Sequence, residues 1–176
     1  MLHPRIQFFH QKSKRPKHGW IATAVRNDES NFCLKVDEGE NNDEYLITRH
    51  GQFMKPINIC NIYGEQEGRN PNIEIEERWS RICEQLKIIE DRDEEAILIG
   101  DMNKLVGNGP LGVENNNTKV TFGGKLIHQL LKDGKYLLVN NSDKCVGGPF
   151  TRVDPSDNNI KSCLSLVIIS AGLEEC

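Results

Sequence analysis

The sequence predicts a single α/β domain, and three observations carry that expectation. Short strand-like runs separated by turn residues fill residues 20–63, a helix-patterned segment leads directly into the apolar run Ala96-Ile97-Leu98-Ile99, and a second helix-patterned segment is followed by further apolar runs. The length of 176 residues suits one domain able to bury its own core.

The strands come first. Trp20 to Arg26 is followed by the polar break Asn27-Asp28-Glu29-Ser30, then by Phe32 to Val36, in which Phe32, Leu34 and Val36 alternate with Cys33 and Lys35. A polar loop around Gly39 to Asp43 precedes Tyr45 to Arg49, and Gly51 to Pro56 precedes Ile57 to Tyr63. Four strands with short connections predict an antiparallel meander. The first helix has Asn72 as its cap and Glu74, Glu76 and Glu77 at the positive end of its dipole. Its inward face is Ile75, Trp79, Ile82, Cys83, Leu86 and Ile89. The strand Ala96 to Ile99 follows. After the loop Lys104 to Val120, a second helix turns Leu126, Ile127, Leu130 and Leu131 inward and stops at Gly134. Strands then follow at Tyr136 to Val139 and Leu164 to Ser170. No internal repeat or linker divides the chain.

Composition excludes several classes. The 37% hydrophobic and 27% charged fractions are those of an ordinary globular protein. No apolar stretch reaches the roughly 18 residues that cross a bilayer, and Met1 to Arg5 lacks the apolar middle of a secretory signal. The expectation is therefore an intracellular chain, in nucleus or cytoplasm, that is neither secreted nor membrane-bound. Six scattered cysteines without a C-x-x-C pair read as reduced thiols. Net charge is -4, yet residues 1–18 hold Arg5, Lys12, Lys14, Arg15 and Lys17, three histidines and no acid. This basic leader reads as a poorly ordered, solvated tail, with a phosphate-contacting arm as the alternative.

Gly107-Asn108-Gly109-Pro110-Leu111-Gly112 matches the dinucleotide fingerprint but does not open a helix, so it reads as a loop. A stronger candidate is Gly100-Asp101-Met102-Asn103, at the carboxyl end of a buried strand, with Tyr63 at the end of another. A carboxylate can take the proton of an attacking water, a carboxamide can hold that carboxylate or a phosphate oxygen, and a phenol can donate to a phosphate oxygen. Taken alone, Gly100-Asp101 also reads as a strand-ending turn whose aspartate caps backbone amides.

Further motifs follow in order: Leu138-Val139-Asn140, Gly148-Pro149-Phe150-Thr151-Arg152-Val153-Asp154-Pro155, and Lys161-Ser162-Cys163-Leu164-Ser165-Leu166-Val167. With Ile62-Tyr63 and Gly100 to Asn103, this series resembles the endonuclease/exonuclease/phosphatase superfamily (deoxyribonuclease I-like). It is most similar to the endonuclease domain encoded by non-long-terminal-repeat retrotransposons beside their reverse transcriptase. The resemblance runs from about Gly19 to about Ser170. It implies a four-layer α/β sandwich, two mostly antiparallel sheets packed face to face with helices outside, formed in part here by residues 19–176. It also implies hydrolysis of phosphodiester or phosphomonoester bonds with a divalent metal, usually Mg2+, acting on nucleic acid, most of all DNA. A reverse transcriptase domain in a longer polyprotein would be the associated partner. On this resemblance Asp101 activates water, Asn103 stands beside it, Tyr63 faces the scissile phosphate, and Thr151, Ser162 and Asn140 lie on the substrate side.

The departures are specific. The resemblance calls for an early asparagine and a metal-binding glutamate upstream of Gly19, where only the acid-free leader stands. Leu164-Ser165-Leu166 replaces a Leu-Asp-Leu whose aspartate orients a catalytic histidine, and no histidine of this chain lies in the final Ser-Asp-His motif. His128 reads as a partly exposed helix residue. Loss of an acid/base group costs about 10²- to 10⁴-fold in rate, and loss of the metal removes several kcal/mol of charge stabilisation. The expectation is an endonuclease-type domain with little activity. The alternatives are a non-catalytic relic with at most weak nucleic-acid binding and a phosphomonoesterase of the same fold. Missing early strands would also leave an exposed sheet edge prone to mispairing.

Overall fold

The computed structural model describes residues 6–12, 20–26, 28–36, 45–64, 72–108, 111–113, 119–141, 152–153, 161–163 and 165–174. Ile6–Lys12 (β1) and Trp20–Arg26 (β2) form an antiparallel hairpin. Cys33–Lys35 (β3), Tyr45–His50 (β4) and Ile57–Tyr63 (β5) run as an antiparallel meander. Helix Asn72–Asp91 (α1) then carries the chain back, so that Glu95–Asp101 (β6) lies parallel to β5. Helix Phe122–Leu131 (α2), strand Tyr136–Leu138 (β7), the two-residue pair Arg152–Val153 (β8) and Lys161–Ser162 (β9), and Ser165–Ser170 (β10) complete the order. The main sheet has the order β3-β4-β5-β6-β10-β7.

Period-two alternation decides which side chains this sheet turns to the helices. Cys60, Ile62, Ala96, Leu98, Leu166 and Ile168 form one core with Ile82, Leu86 and Ile89 of α1 and Ile127 and Leu131 of α2. The intervening residues point the other way. There the hairpin lies over β4 and β5, where Leu46 and Thr48 are 2% and 0% exposed and Asn61 Nδ2 donates to the Ala22 carbonyl at 2.9 Å. Among the described side chains of the hairpin, Ile21 and Val25 are buried. The α/β sandwich expected from the motifs is therefore present, with helices on one face of a six-stranded sheet and the beginning of a second sheet on the other.

Two differences from the sequence reading have clear causes. Residues 6–12 of the basic leader form β1, held by pairing along the whole length of β2. Ile6 and Phe8 stay 53% and 62% exposed, so this strand lacks the buried apolar face by which strands are read. Trp20–Arg26 joins that hairpin and leaves a three-stranded meander in the main sheet, because alternation shows which side chains share a face but not which sheet a strand enters.

Polar groups close the end of the sheet remote from the carboxyl ends of β5 and β6. Arg49 Nε and Nη2 donate to both oxygens of Glu94, the shortest bond being 2.7 Å, and Asn58 Nδ2 adds a bond of 3.0 Å. The Arg49 guanidinium, opposed by burial, holds the Glu94 carboxyl below its ordinary range. The stability contributed by this pair is therefore fully present above the carboxylate's ordinary value and is lost as pH falls through the depressed one. His50 is nearly buried, with Nδ1 3.0 Å from Cys33 Sγ and Nε2 3.1 Å from Thr48 Oγ1, and burial pushes its pKa down. Cys33, Cys60, Cys83 and Cys163 are reduced cysteines outside any disulfide.

Candidate active site

Tyr63 ends β5 and Asp101 ends β6, and the parallel register pairs them directly. The antiparallel β10 sets Ser165 on the other side of Asp101, so Tyr63, Asp101 and Ser165 form one row across three strands. Register partners share a face, which puts this row on the hairpin side of the sheet. Tyr63 is 48% exposed and Asp101 is half-buried, so the row is open to a ligand.

The chain around Asp101 turns sharply, and two residues take the left-handed φ region to allow it. Gly100 has φ +143, and a Cβ on it would overlap the Ile62 carbonyl oxygen. Asn103 has φ +50, a conformation asparagine tolerates better than most residues. Its backbone N–H donates to Asp101 Oδ1 at 3.1 Å, and its Nδ2 donates to the Gly64 carbonyl at 2.6 Å. Gly64 in turn donates its N–H to the Asp101 carbonyl at 2.8 Å. A Cβ on Gly64 would overlap the Met102 carbonyl oxygen, so the two loops touch backbone to backbone. Sequence reasoning missed Gly64; a glycine directly after a strand-end tyrosine is the signal of such an approach.

The following loop is anchored from α2. Thr121 caps the helix by accepting from Gly124 N–H at 3.3 Å and also accepts from Leu105 N–H at 3.2 Å. His128 Nε2 lies 2.8 Å from the Val106 carbonyl and bonds to it, which occupies it in loop support. Val113 N–H donates to the Gly107 carbonyl at 2.9 Å, and among the described residues the next helix is the one that starts at Phe122.

The other candidate residues are placed differently. Asn140 sits in the 3-10 turn Val139–Asn141, where Oδ1 accepts from Val167 N–H at 2.8 Å and Nδ2 donates to the Ser165 carbonyl at 3.2 Å. Both ends of its carboxamide thus brace β10 beside Asp101. Ser162 lies in β9 opposite Arg152. Thr151 lies outside the described residues. The row supplies one carboxylate, and among the described residues no three His, Cys, Asp or Glu side chains converge as metal ligands. These residues alone do not fit a complete Mg2+ site. A base, a phenol donor and a fixed carboxamide remain, a set suited to holding a phosphate and activating water.

No family model and no curated protein matches the chain. Solved structures match its fold. The endonuclease domain of TRAS1, a telomere-specific non-LTR retrotransposon, aligns at 13% identity over 97% of this chain and 69% of its own, with a TM-score of 0.65. AP endonuclease LMAP from Leishmania major aligns at 12% identity over 96% of this chain and 62% of its own, with a TM-score of 0.71. The 3' phosphatase NExo from Neisseria, bound to product DNA hairpin, aligns at 12% identity over 96% and 68%, with a TM-score of 0.62. The chain thus spans 62% to 69% of the length of these three structures. At these identities the likeness establishes architecture alone, and the architecture of this chain is that of the endonuclease/exonuclease/phosphatase fold.

Proposed function

We propose that this chain is a retroelement-type endonuclease domain, a phosphodiester hydrolase that nicks DNA slowly and acts inside the cell. The observation that carries the reading is the row Tyr63, Asp101 and Ser165, with Asn103 clamped beside it, at the carboxyl ends of β5 and β6. Ligands of open α/β sheets bind at such strand ends. The fold shared with the retrotransposon endonuclease domain and with a phosphatase bound to product DNA hairpin supports DNA as the substrate, and the ordered motifs around Asp101 carry the proposal of a reverse transcriptase as the associated domain. Among the described residues no helix is long and apolar enough to cross a membrane.

In this reading Asp101 accepts the proton of the attacking water and Tyr63 donates a hydrogen bond to a non-bridging phosphate oxygen. Asn103 holds the Asp101 loop against Gly64, which keeps base and donor in register. Ser165 contributes a hydroxyl where the motif comparison expects a carboxylate, so the acid/base half of the site is weak and turnover is slow.

The substrate class is tested with supercoiled plasmid and a soluble inositol phosphate, each with magnesium. The reading expects slow conversion of supercoiled to nicked circles and no phosphate release from the inositol phosphate. Phosphate release without nicking would replace it with a phosphomonoesterase. Inertness toward both substrates would leave a non-catalytic relic.

A further inference from the structure

Where α1 and α2 meet the sheet they leave a pocket of about 490 Å3, its open mouth included, on the face opposite the row Tyr63, Asp101 and Ser165. Ile75, Trp79 and Ile82 share one face of α1 at helical spacing, and with Leu126 of α2 and Met102 they make its wall almost wholly apolar. Two cations interrupt that wall. Arg78, whose side chain is 17% exposed, enters from α1, and Lys104, 8% exposed, enters from the loop after β6. Side chains of these types are rarely so enclosed. Arg78 also lies 3.8 Å from Glu74, one turn back on α1, and Glu74 does not line the pocket. The first turn of α2 adds Gly123, near the positive end of that helix's dipole.

We infer that this pocket binds a small amphipathic anion, a single aromatic ring that carries one carboxylate. The apolar wall takes the ring, against the Trp79 indole. Arg78 and Lys104 take the carboxylate, Arg78 through its planar fork. Two cations and a helix amino end set the sign of the charge. The extent of apolar wall sets its amount, because a polyphosphate stripped of water against such a wall pays a large desolvation cost. The pocket is separate from the candidate active site but touches it from behind. Gly64 and Met102 line it, and the same two residues make the close backbone approach that holds the Asp101 loop. An occupant therefore braces that loop without entering the row. Binding here is measured without turnover, so it stands or falls apart from the nuclease reading.

Phenylacetate is titrated into the isotopically labelled chain, and its neutral isostere phenylacetamide into a second sample, with backbone amide shifts as the readout. The expected result is saturable binding of phenylacetate, with the largest shifts at Gly64, Ile75, Trp79, Met102 and Gly123. Phenylacetamide should bind about tenfold more weakly. Arg78→Gln keeps a polar side chain, removes the charge and should weaken phenylacetate about tenfold as well. Leu126→Trp fills the space and should abolish saturation. Lys125→Gln, on the exposed side of α2, removes a charge outside the pocket and should bind as the wild type does. If Leu126→Trp does not fold, Arg78→Gln decides alone. No saturable binding by the wild type, shifts centred elsewhere, or equal affinity in Arg78→Gln and wild type overturns the inference. Equal affinity for phenylacetamide overturns it too, since the pocket would then select a ring and no charge.

Discussion

Replacing Asp101 by asparagine lowers plasmid nicking by about 100-fold or more and leaves the melting midpoint unchanged. The size follows from what is removed and what is kept. Asparagine has the shape of aspartate and retains an oxygen to accept the Asn103 N–H, which now reaches Asp101 Oδ1 at 3.1 Å, so the turn survives. The group that takes the proton of water does not survive. Tyr63→Phe removes one donor at a 48% exposed position and is expected to cost about tenfold, equivalent to about 1.4 kcal/mol in the barrier. An Asp101→Asn protein that is folded and nicks as fast as the wild type would remove Asp101 from the chemistry.

Gly100→Ala has the largest effect on stability. At φ +143 an alanine is strained whatever surrounds it, and its Cβ would overlap the Ile62 carbonyl oxygen inside the β5–β6 pair. That atom is backbone held by the parallel ladder and cannot swing aside. Strain and overlap together cost about 4 kcal/mol, a large part of the roughly 5 to 15 kcal/mol that holds a domain together. The melting midpoint should fall by about 10 °C. Gly134→Ala is the matched comparison: φ is +71, but no atom lies within 4 Å of the new Cβ. It carries backbone strain without overlap and should cost about 1 kcal/mol. Equal losses at the two positions, measured by urea denaturation, would show that crowding at Ile62 is not what makes Gly100 necessary.

These residues also show how much of the molecule could be read from its sequence. Ile57 to Tyr63 and Trp20 to Arg26 were legible to the residue because short, mainly apolar runs rich in strand-forming residues lie between clear turn signals. The helix Asn72–Asp91 was legible because its acidic start and apolar stripe agree. β6 extends to Glu95 and Asp101 at its ends, where charge and glycine mask strand pattern that ladder pairing supplies. β1 stayed hidden because Ile6 and Phe8 remain exposed, so pairing with β2 holds the strand more than an apolar face does. Strand order was not legible, since the placement of β10 between β6 and β7 depends on contacts remote in sequence.

The candidate site divides in the same way. Strand-end residue types pointed to Tyr63, Asp101 and Asn103 as a group, and the structure brings them together around Gly64. Asn140 was read toward substrate, yet its carboxamide is bonded at both ends to β10. A side chain that braces a strand and one that meets a ligand are the same letter in a sequence. Gly64 escaped notice because its function rests on having no side chain at all.

The strand-end row around Asp101 is, on the proposed function, where this chain meets nucleic acid. The most direct measurement is a titration of the isotopically labelled 176-residue chain with a short DNA duplex, followed by the shifts of its backbone amides. The account predicts the largest and mutually consistent shifts at Gly64, Asp101 to Lys104 and Ser165, reduced when Asp101 is replaced. Shifts confined to other surfaces, or none at this row at saturating duplex, would contradict it.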